Sequence, residues 1–258
     1  MRTNILLLAA MASLFCSAFA ADRDFYQLKI YHLKTTQQAQ QLDDFLSMAY
    51  LPALHRVGIN HVGVFKPIAA DAETDSPLLV YVFIPYASYD QFASLDAALS
   101  QDETYQEAGK AYLHASYDNP PYDRIETILL NAFAGSPHMQ LPVLSGPKSE
   151  RVYELRSYEG PTEAYYRNKV QMFNEGDEIG LFKRLGFNAV FYGEVVAGSR
   201  MPNLMYLTTF ENRQSRDEHW SAFGKDAYWK KLSAMPEYQH NVSRNQQIFL
   251  RPTDYSDF

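Results

Sequence analysis

Apolar and polar residues alternate along the stretch beginning at Asp24. Tyr26, Leu28 and Ile30 fall on one face of a strand, with Gln27 and Lys29 on the other. The same alternation returns from Arg151, where Tyr153, Leu155 and Ser157 oppose Glu154 and Arg156. After the first strand the period changes. Ala39, Leu42, Phe45, Leu46 and Ala49 recur at steps of three and four, the apolar stripe of a helix. Thr35 or Thr36 is placed to cap its start, as Thr162 is after Pro161. Pro52 removes an amide donor and is expected to kink or end that helix. Gly176 weakens the corresponding helix more mildly. Gly58 and Gly186 stand where each helix must turn into a strand, the place of a glycine C-cap.

These parallels extend over most of the chain. "HRVGIN" from His55 matches "KRLGFN" from Lys183, pairing Arg56 with Arg184 and Asn60 with Asn188. "LLVYVFI" from Leu78 answers "LMYLTTF" from Leu204, and "SYDQF" from Ser88 answers "SRDEHW" from Ser215. Asp102-x-x-Tyr105 answers Asp226-x-x-Trp229, and "ETILL" from Glu126 answers "QQIFL" from Gln246. The chain reads as a tandem duplication. A first unit covers 22–135 and a second 150–258, with a Pro-, Ser- and Gly-rich linker at 136–149. Each unit runs strand, helix, strand, strand, helix, strand. That order predicts an α+β fold of two tandem ferredoxin-like units. The sheet face without helices needs cover, and two such faces on one chain predict an intramolecular barrel of the dimeric α+β type. The Gln27/Lys29 and Glu154/Arg156 face is expected to line part of its interior, with Glu154 and Arg156 paired because buried charges need partners.

The N-terminal segment predicts a location outside the cytoplasm. Residues 1–20 carry one basic residue (Arg2), an apolar run and a small–x–small ending, which predicts a signal peptide cleaved before Ala21. A lipid anchor at Cys16 is the rival, opposed by the bulk of Phe15. Cys16 is the only cysteine, so the processed chain would have no disulfide, thiolate metal site or cysteine nucleophile. No later segment is apolar enough over sufficient length to insert as a membrane helix. Charge divides unevenly: 21–135 holds 7 basic and 15 acidic residues, 136–258 holds 15 of each. Neither half offers the basic field that nucleic acid requires.

The second unit resembles the NIPSNAP family. The resemblance is carried by "VYELRSYEGPTEAYYRNKV", "GLFKRLGFNAVFYGEVVAG" and "NLMYLTTFENRQSRDEHWSAFGKDAYWKKL", including Tyr153 to Arg156, Arg216 with Trp220, and Asp226 with Trp229. The first unit is a diverged version, with Gln27 and Lys29 for Glu154 and Arg156, Phe92 for Trp220 and Tyr105 for Trp229. The resemblance implies a dimeric α+β barrel and no agreed catalytic residues. Haem enters as a cofactor only through the analogy of fold.

Candidate chemistry is sparse. No His-Glu-x-x-His, Gly-x-Ser-x-Gly or Gly-x-Gly-x-x-Gly occurs. His61, where the second unit has Ala189, is the candidate base or haem ligand in the barrel cavity, against a hydrogen-bonded histidine at a strand end. His55 is expected near a helix C-terminus, matched by Lys183. Arg56 and Arg184 offer donors to an anionic ligand, or serve cap and turn chemistry. Tyr81, Tyr192, Tyr206 and Phe191 line a cavity or belong to the core. The resulting expectation is an exported protein that binds a small apolar or aromatic molecule in the barrel, with a monooxygenase as its catalytic form. The alternative is a non-catalytic scaffold or interaction module. The quaternary expectation is a monomer with pseudo-dimer symmetry, further association being open.

Overall fold

The computed structural model describes residues 22–68 and 78–258. The expected signal peptide at 1–20 lies outside the described residues. Unit one comprises β1 (Phe25–Leu33), α1 (Thr36–Phe45), a π-helical turn (Leu46–Tyr50), α2 (Leu51–Arg56), β2 (Gly63–Pro67), β3 (Leu78–Tyr86), α3 (Tyr89–Ser100), α4 (Glu103–Ala108), α5 (Lys110–Leu113) and β4 (Arg124–Ala132). Unit two comprises β5 (Val152–Glu159), α6 (Glu163–Asn174), α7 (Glu178–Arg184), β6 (Phe191–Ala197), β7 (Asn203–Phe210), α8 (Arg213–Lys225), α9 (Ala227–Ser233) and β8 (Arg244–Pro252). Among the described residues no helix is long and apolar enough to cross a membrane.

Local signals act largely as their chemistry dictates. Thr35 Oγ1 accepts from the Gln38 amide and Thr162 Oγ1 from the Tyr165 amide, capping α1 and α6. Gly58 and Gly186 take φ +85° and +75°, the left-handed conformation that ends each helix. A Cβ at Gly58 would meet no atom within 4 Å, so backbone conformation alone calls for glycine there. Pro52 does not end its helix. The Leu51 amide bonds back to Leu46 O in a π turn, and the helical run continues to Arg56.

The strands close into an antiparallel barrel in the order β1-β3-β2-β8-β5-β7-β6-β4. Each unit contributes a four-stranded sheet, and the two are joined at both edges. Phe65 pairs with Pro252 across β2–β8, and Leu130 with Val195 across β4–β6. Closure removes every edge that would otherwise present unpaired backbone groups. The C-terminal ends of β1 and β5 meet at one mouth, so the pseudo-twofold axis runs along the barrel.

The interior is not lined as expected. Tyr26, Leu28 and Ile30 face inward with Tyr153 and Leu155, sharing one cluster with Phe65, Phe83, Phe191 and Phe258. Gln27, Lys29, Glu154 and Arg156 face the helices instead. Alternation defines two faces but does not say which one the helices cover, and the more apolar face is the shared interior. Phe83 stacks on Phe191 at 4.7 Å and 6°, one ring from each unit, and Tyr26 leans on both at 5.3 Å. Separate helix-side clusters fill the outer layer of each unit.

Two repeat alignments also shift. Tyr86 opposes Phe25 as Phe210 opposes Val152, so β3 and β7 correspond two residues away from the match read from Leu78 and Leu204. Ser88 caps α3 as Asn212 caps α8, so Phe92 corresponds to Arg216 rather than to Trp220. Shared serine and aromatic residues had suggested a register that the caps do not follow.

The linker stretch is pinned to the body. Met139 N donates to Asp24, Gln140 N to Val190 O, and the Ser145 and Gly146 amides to the Glu211 carboxylate.

The inter-unit stack should make the two halves unfold together. Phe83→Ala is expected to cost roughly 3–5 kcal/mol in urea denaturation while leaving a single transition. Two resolved transitions, or a loss under about 1 kcal/mol, would contradict this view of the interior.

Candidate functional site

Several candidate residues are committed to holding the fold. Arg56 donates to Asp102 at 2.6 and 2.8 Å, and Arg184 to Asp226 at 3.0 and 3.1 Å. Both aspartates are helix N-caps, accepting from the Tyr105 amide in one unit and from Tyr228 and Trp229 in the other. Each arginine thus ties the end of one helix to the start of the second helix after it, α2 to α4 and α7 to α9, at repeat-equivalent positions. Their cap role explains their recurrence, and the signal was present in the matching Asp102 and Asp226. His55 is paired with Asp257 at 2.8 Å rather than supported by a helix dipole alone. His61 is exposed, lies ahead of β2 and does not reach the barrel interior.

Glu154, Arg156, Tyr192 and Tyr206 do come together, beneath the helices of unit two. Glu154 is fully buried. Its carboxylate accepts from Arg156 Nε at 2.7 Å, from Arg216 Nε and Nη2 at 2.8 and 2.9 Å, and from Trp220 Nε1 at 2.7 Å. The Arg156 guanidinium lies 3.8 Å over the Trp220 ring and donates to Tyr158, which shares a 2.8 Å hydrogen bond with Tyr206. Gln247, with its amide oxygen toward the guanidinium, accepts from Arg156 at 2.8 and 3.1 Å. Complete burial holds the Tyr206 hydroxyl far above its ordinary pKa, so it stays neutral. Lys169 and Glu178 form a second buried pair at 2.8 Å in the same layer. With every oxygen satisfied, Glu154 clamps α8 to β5. The pairing of Glu154 with Arg156 was legible from their spacing, whereas Arg216 and Trp220 were visible only as motif neighbours.

The open site is at the barrel mouth. Cross-strand rows define it. In unit one Glu126, Ile30 and Tyr81 lie abreast, followed by Arg124, His32 and Leu79. In unit two the equivalent rows are Gln246, Ser157 and Met205, then Arg244, Glu159 and Asn203. These rows enclose a cavity of about 180 Å³ whose apolar wall includes Ile30, Leu155, Ile128 and Ile248. Below it the aromatic stack fills the barrel. Above it the turn between β6 and β7 contributes Ser199 and Arg200, the latter at φ +62°, and borders an outer cavity of about 430 Å³.

Two buried polar atoms lining this cavity have no hydrogen bond. Asn203 Oδ1 is one, on a residue only 2% exposed. The other is His32 Nε2, which approaches Glu126 Oε1 to 2.9 Å but off the line of a hydrogen bond. The hydroxyls of Tyr26 and Tyr153 and Thr208 Oγ1 are also without partners, but none of these residues lines the mouth. Burial, followed by the charge of Glu126, pushes the Tyr81 hydroxyl up to about 12, so it is a neutral donor and acceptor at physiological pH. Of the expected site residues only Tyr81 lines the mouth. His32, Glu126, Arg200 and Asn203 were missed, because they lie on four separate elements. Haem does not fit here. The cavity is well below the roughly 300–1,000 Å³ of cofactor-sized pockets, and His32 is turned to Glu126.

Glu154 makes a measurable prediction. Burial alone would raise its carboxyl, but hydrogen bonds from Arg216 and Trp220 and the charges of Arg156 and Arg216 outweigh that and hold it below the ordinary range. A depressed carboxyl stabilises the fold above its unfolded pKa of about 4.3, and that contribution is lost as pH falls through the folded value. Glu154→Gln should cost about 3 kcal/mol at neutral pH and flatten the acid limb of the stability profile. Urea unfolding from neutral to acidic pH checks both, and an unchanged acid limb would contradict the assignment.

Residues 151–257 match the NIPSNAP family model. No curated protein matches the chain. Among solved structures, a "putative monooxygenase" from Fusobacterium nucleatum subsp. nucleatum is 7% identical with TM-score 0.56, covering 90% of this chain and 93% of that one. A second protein of that description, from Lactobacillus acidophilus, is 10% identical with TM-score 0.56, covering 89% and 94%. A NIPSNAP-like domain protein from Burkholderia xenovorans is 20% identical with TM-score 0.37, covering 42% of this chain and 89% of that one. At these identities the first two are likenesses of fold. Residues 151–257, which match the NIPSNAP family model, form the second of two like units that close into one α+β barrel.

Proposed function

We propose that the protein binds a small, largely apolar molecule at the open mouth of its barrel and that it does so outside the cytoplasm. The observation that carries the binding reading is the unsatisfied Asn203 Oδ1 in a cavity left open above an otherwise filled interior. A buried polar atom without a partner costs roughly 1–3 kcal/mol, a cost that a bound donor group relieves. Size favours one ring: an apolar cavity of about 150 Å³ takes up benzene, and this one is about 180 Å³. The outer cavity at Gly198, Ser199 and Arg200 leaves room for a substituent.

Monooxygenase-type activity is the catalytic form of this proposal. Its support in the site is that His32 and Glu126 set a proton acceptor beside the bound molecule. The scaffold reading has less behind it: the large exposed apolar residues, among them Met48, Tyr89, Tyr117, Val143 and Tyr228, come from different stretches of the chain and bring no observation comparable to the orphaned Asn203 Oδ1.

Calorimetric titration with single-ring compounds tests the site. The expected result is saturable one-to-one binding that Ser157→Leu, which fills the mouth, weakens at least roughly tenfold without lowering the unfolding midpoint. Binding unaffected by Ser157→Leu would place the ligand elsewhere. Export is checked by expressing the whole chain and sequencing the mature N-terminus. A start at Ala21 in the extracytoplasmic fraction is expected, and an intact Met1 in the cytoplasm would overturn it.

A further inference from the structure

The head group of the ligand can be read from the hydrogen-bonding capacity that the mouth leaves unused. Repeat-equivalent positions around the axis have diverged here: Ile30 faces Ser157, Leu79 faces Asn203, Tyr81 faces Met205 and Glu126 faces Gln246, while Ile128 and Ile248 stay alike. Fold alone does not ask for this, since the isoleucine pair shows that two apolar residues serve equally well. The divergence sets polar groups on one part of the wall and apolar groups on the other.

Tyr81, Ser157 and Ser199 can donate or accept, so the choice of head group falls to the carboxylate and the orphaned oxygen. Glu126 brings a carboxylate and Asn203 an orphaned amide oxygen. Gln246 Oε1 faces Arg200, the one guanidinium lining the cavity among the described residues. Arg200 also reaches Glu159, at 3.5 Å, so its charge is already matched. An anionic head would meet Glu126 and an amide oxygen that cannot donate. An ammonium head supplies three donors to that acceptor set.

Resting on the reading of the mouth as a ligand site, we propose that its ligand is a small primary amine on a single ring or short apolar body. The ammonium donates to Glu126 and to Asn203 Oδ1, and the body lies on Ile30, Ile128 and Ile248. Tyr81, neutral beside Glu126, borders the head. Hydrogen bonds to a charged group correspond to a factor of roughly ten or more in affinity.

Benzylamine, benzyl alcohol and benzoate share one ring and differ in the head. Each would be titrated into the full chain and into Glu126→Gln, whose folding is checked by thermal unfolding. Benzylamine is expected to bind at least roughly tenfold more tightly than benzoate. Glu126→Gln should close that gap by about tenfold while benzyl alcohol changes less than about threefold. Benzoate binding as well as or better than benzylamine, or a gap that survives Glu126→Gln, overturns the amine proposal and leaves the mouth as a ligand site. No binding by any of the three overturns the mouth reading and the amine proposal with it.

Discussion

Each half of this chain builds a four-stranded sheet with helices on one face, and so exposes two edges and one apolar face that it cannot cover itself. Joining the sheets through β2–β8 and β4–β6 meets both demands at once. The inner faces become a common core in which Phe83 and Phe191 stack across the unit boundary. Because the pseudo-twofold axis follows the barrel, equivalent residues from the two units meet at each end. One end is closed by aromatic rings and Phe258, and the other stays open and polar.

That symmetry separates residues that hold the fold from those that do not need to. Arg56–Asp102 and Arg184–Asp226 repeat, and each does the same capping work in its own unit. The buried Glu154 cluster does not repeat, since unit one has Gln27 and Lys29 in its place, with Gln27 accepting from the Tyr86 hydroxyl at 2.8 Å. Unit two therefore carries an ionic clamp that the architecture can form without, and the family match falls on that unit. At the mouth repeat partners differ in kind where side chains face open space, and there the chemistry is left unfinished.

The duplication, the element order and the barrel were legible in the sequence, because alternation, caps and the two glycines are local signals. Which sheet face points inward was not. Gln27, Lys29, Glu154 and Arg156 look like an interior or solvent face until helix α8 supplies Arg216 and Trp220 from more than sixty residues away. The α3–α8 correspondence failed for a related reason. Ser88 resembles Ser215 in type, yet its structural counterpart is the capping Asn212. The mouth was hidden more deeply, since His32 and Glu126 of unit one meet Arg200 and Asn203 of unit two only after both sheets close. Its trace in the sequence was the failure of repeat partners such as Leu79 and Asn203 to match in kind.

Side-chain nuclear magnetic resonance tests the central claim, that the mouth is the binding site, most directly. During titration with a single-ring compound, the His32 imidazole and Asn203 amide signals would be followed alongside those of exposed His61. The account predicts saturable shifts at His32 and Asn203 with the same midpoint and none at His61. Shifts at His61, or a bound ligand that leaves His32 and Asn203 unmoved, would contradict it.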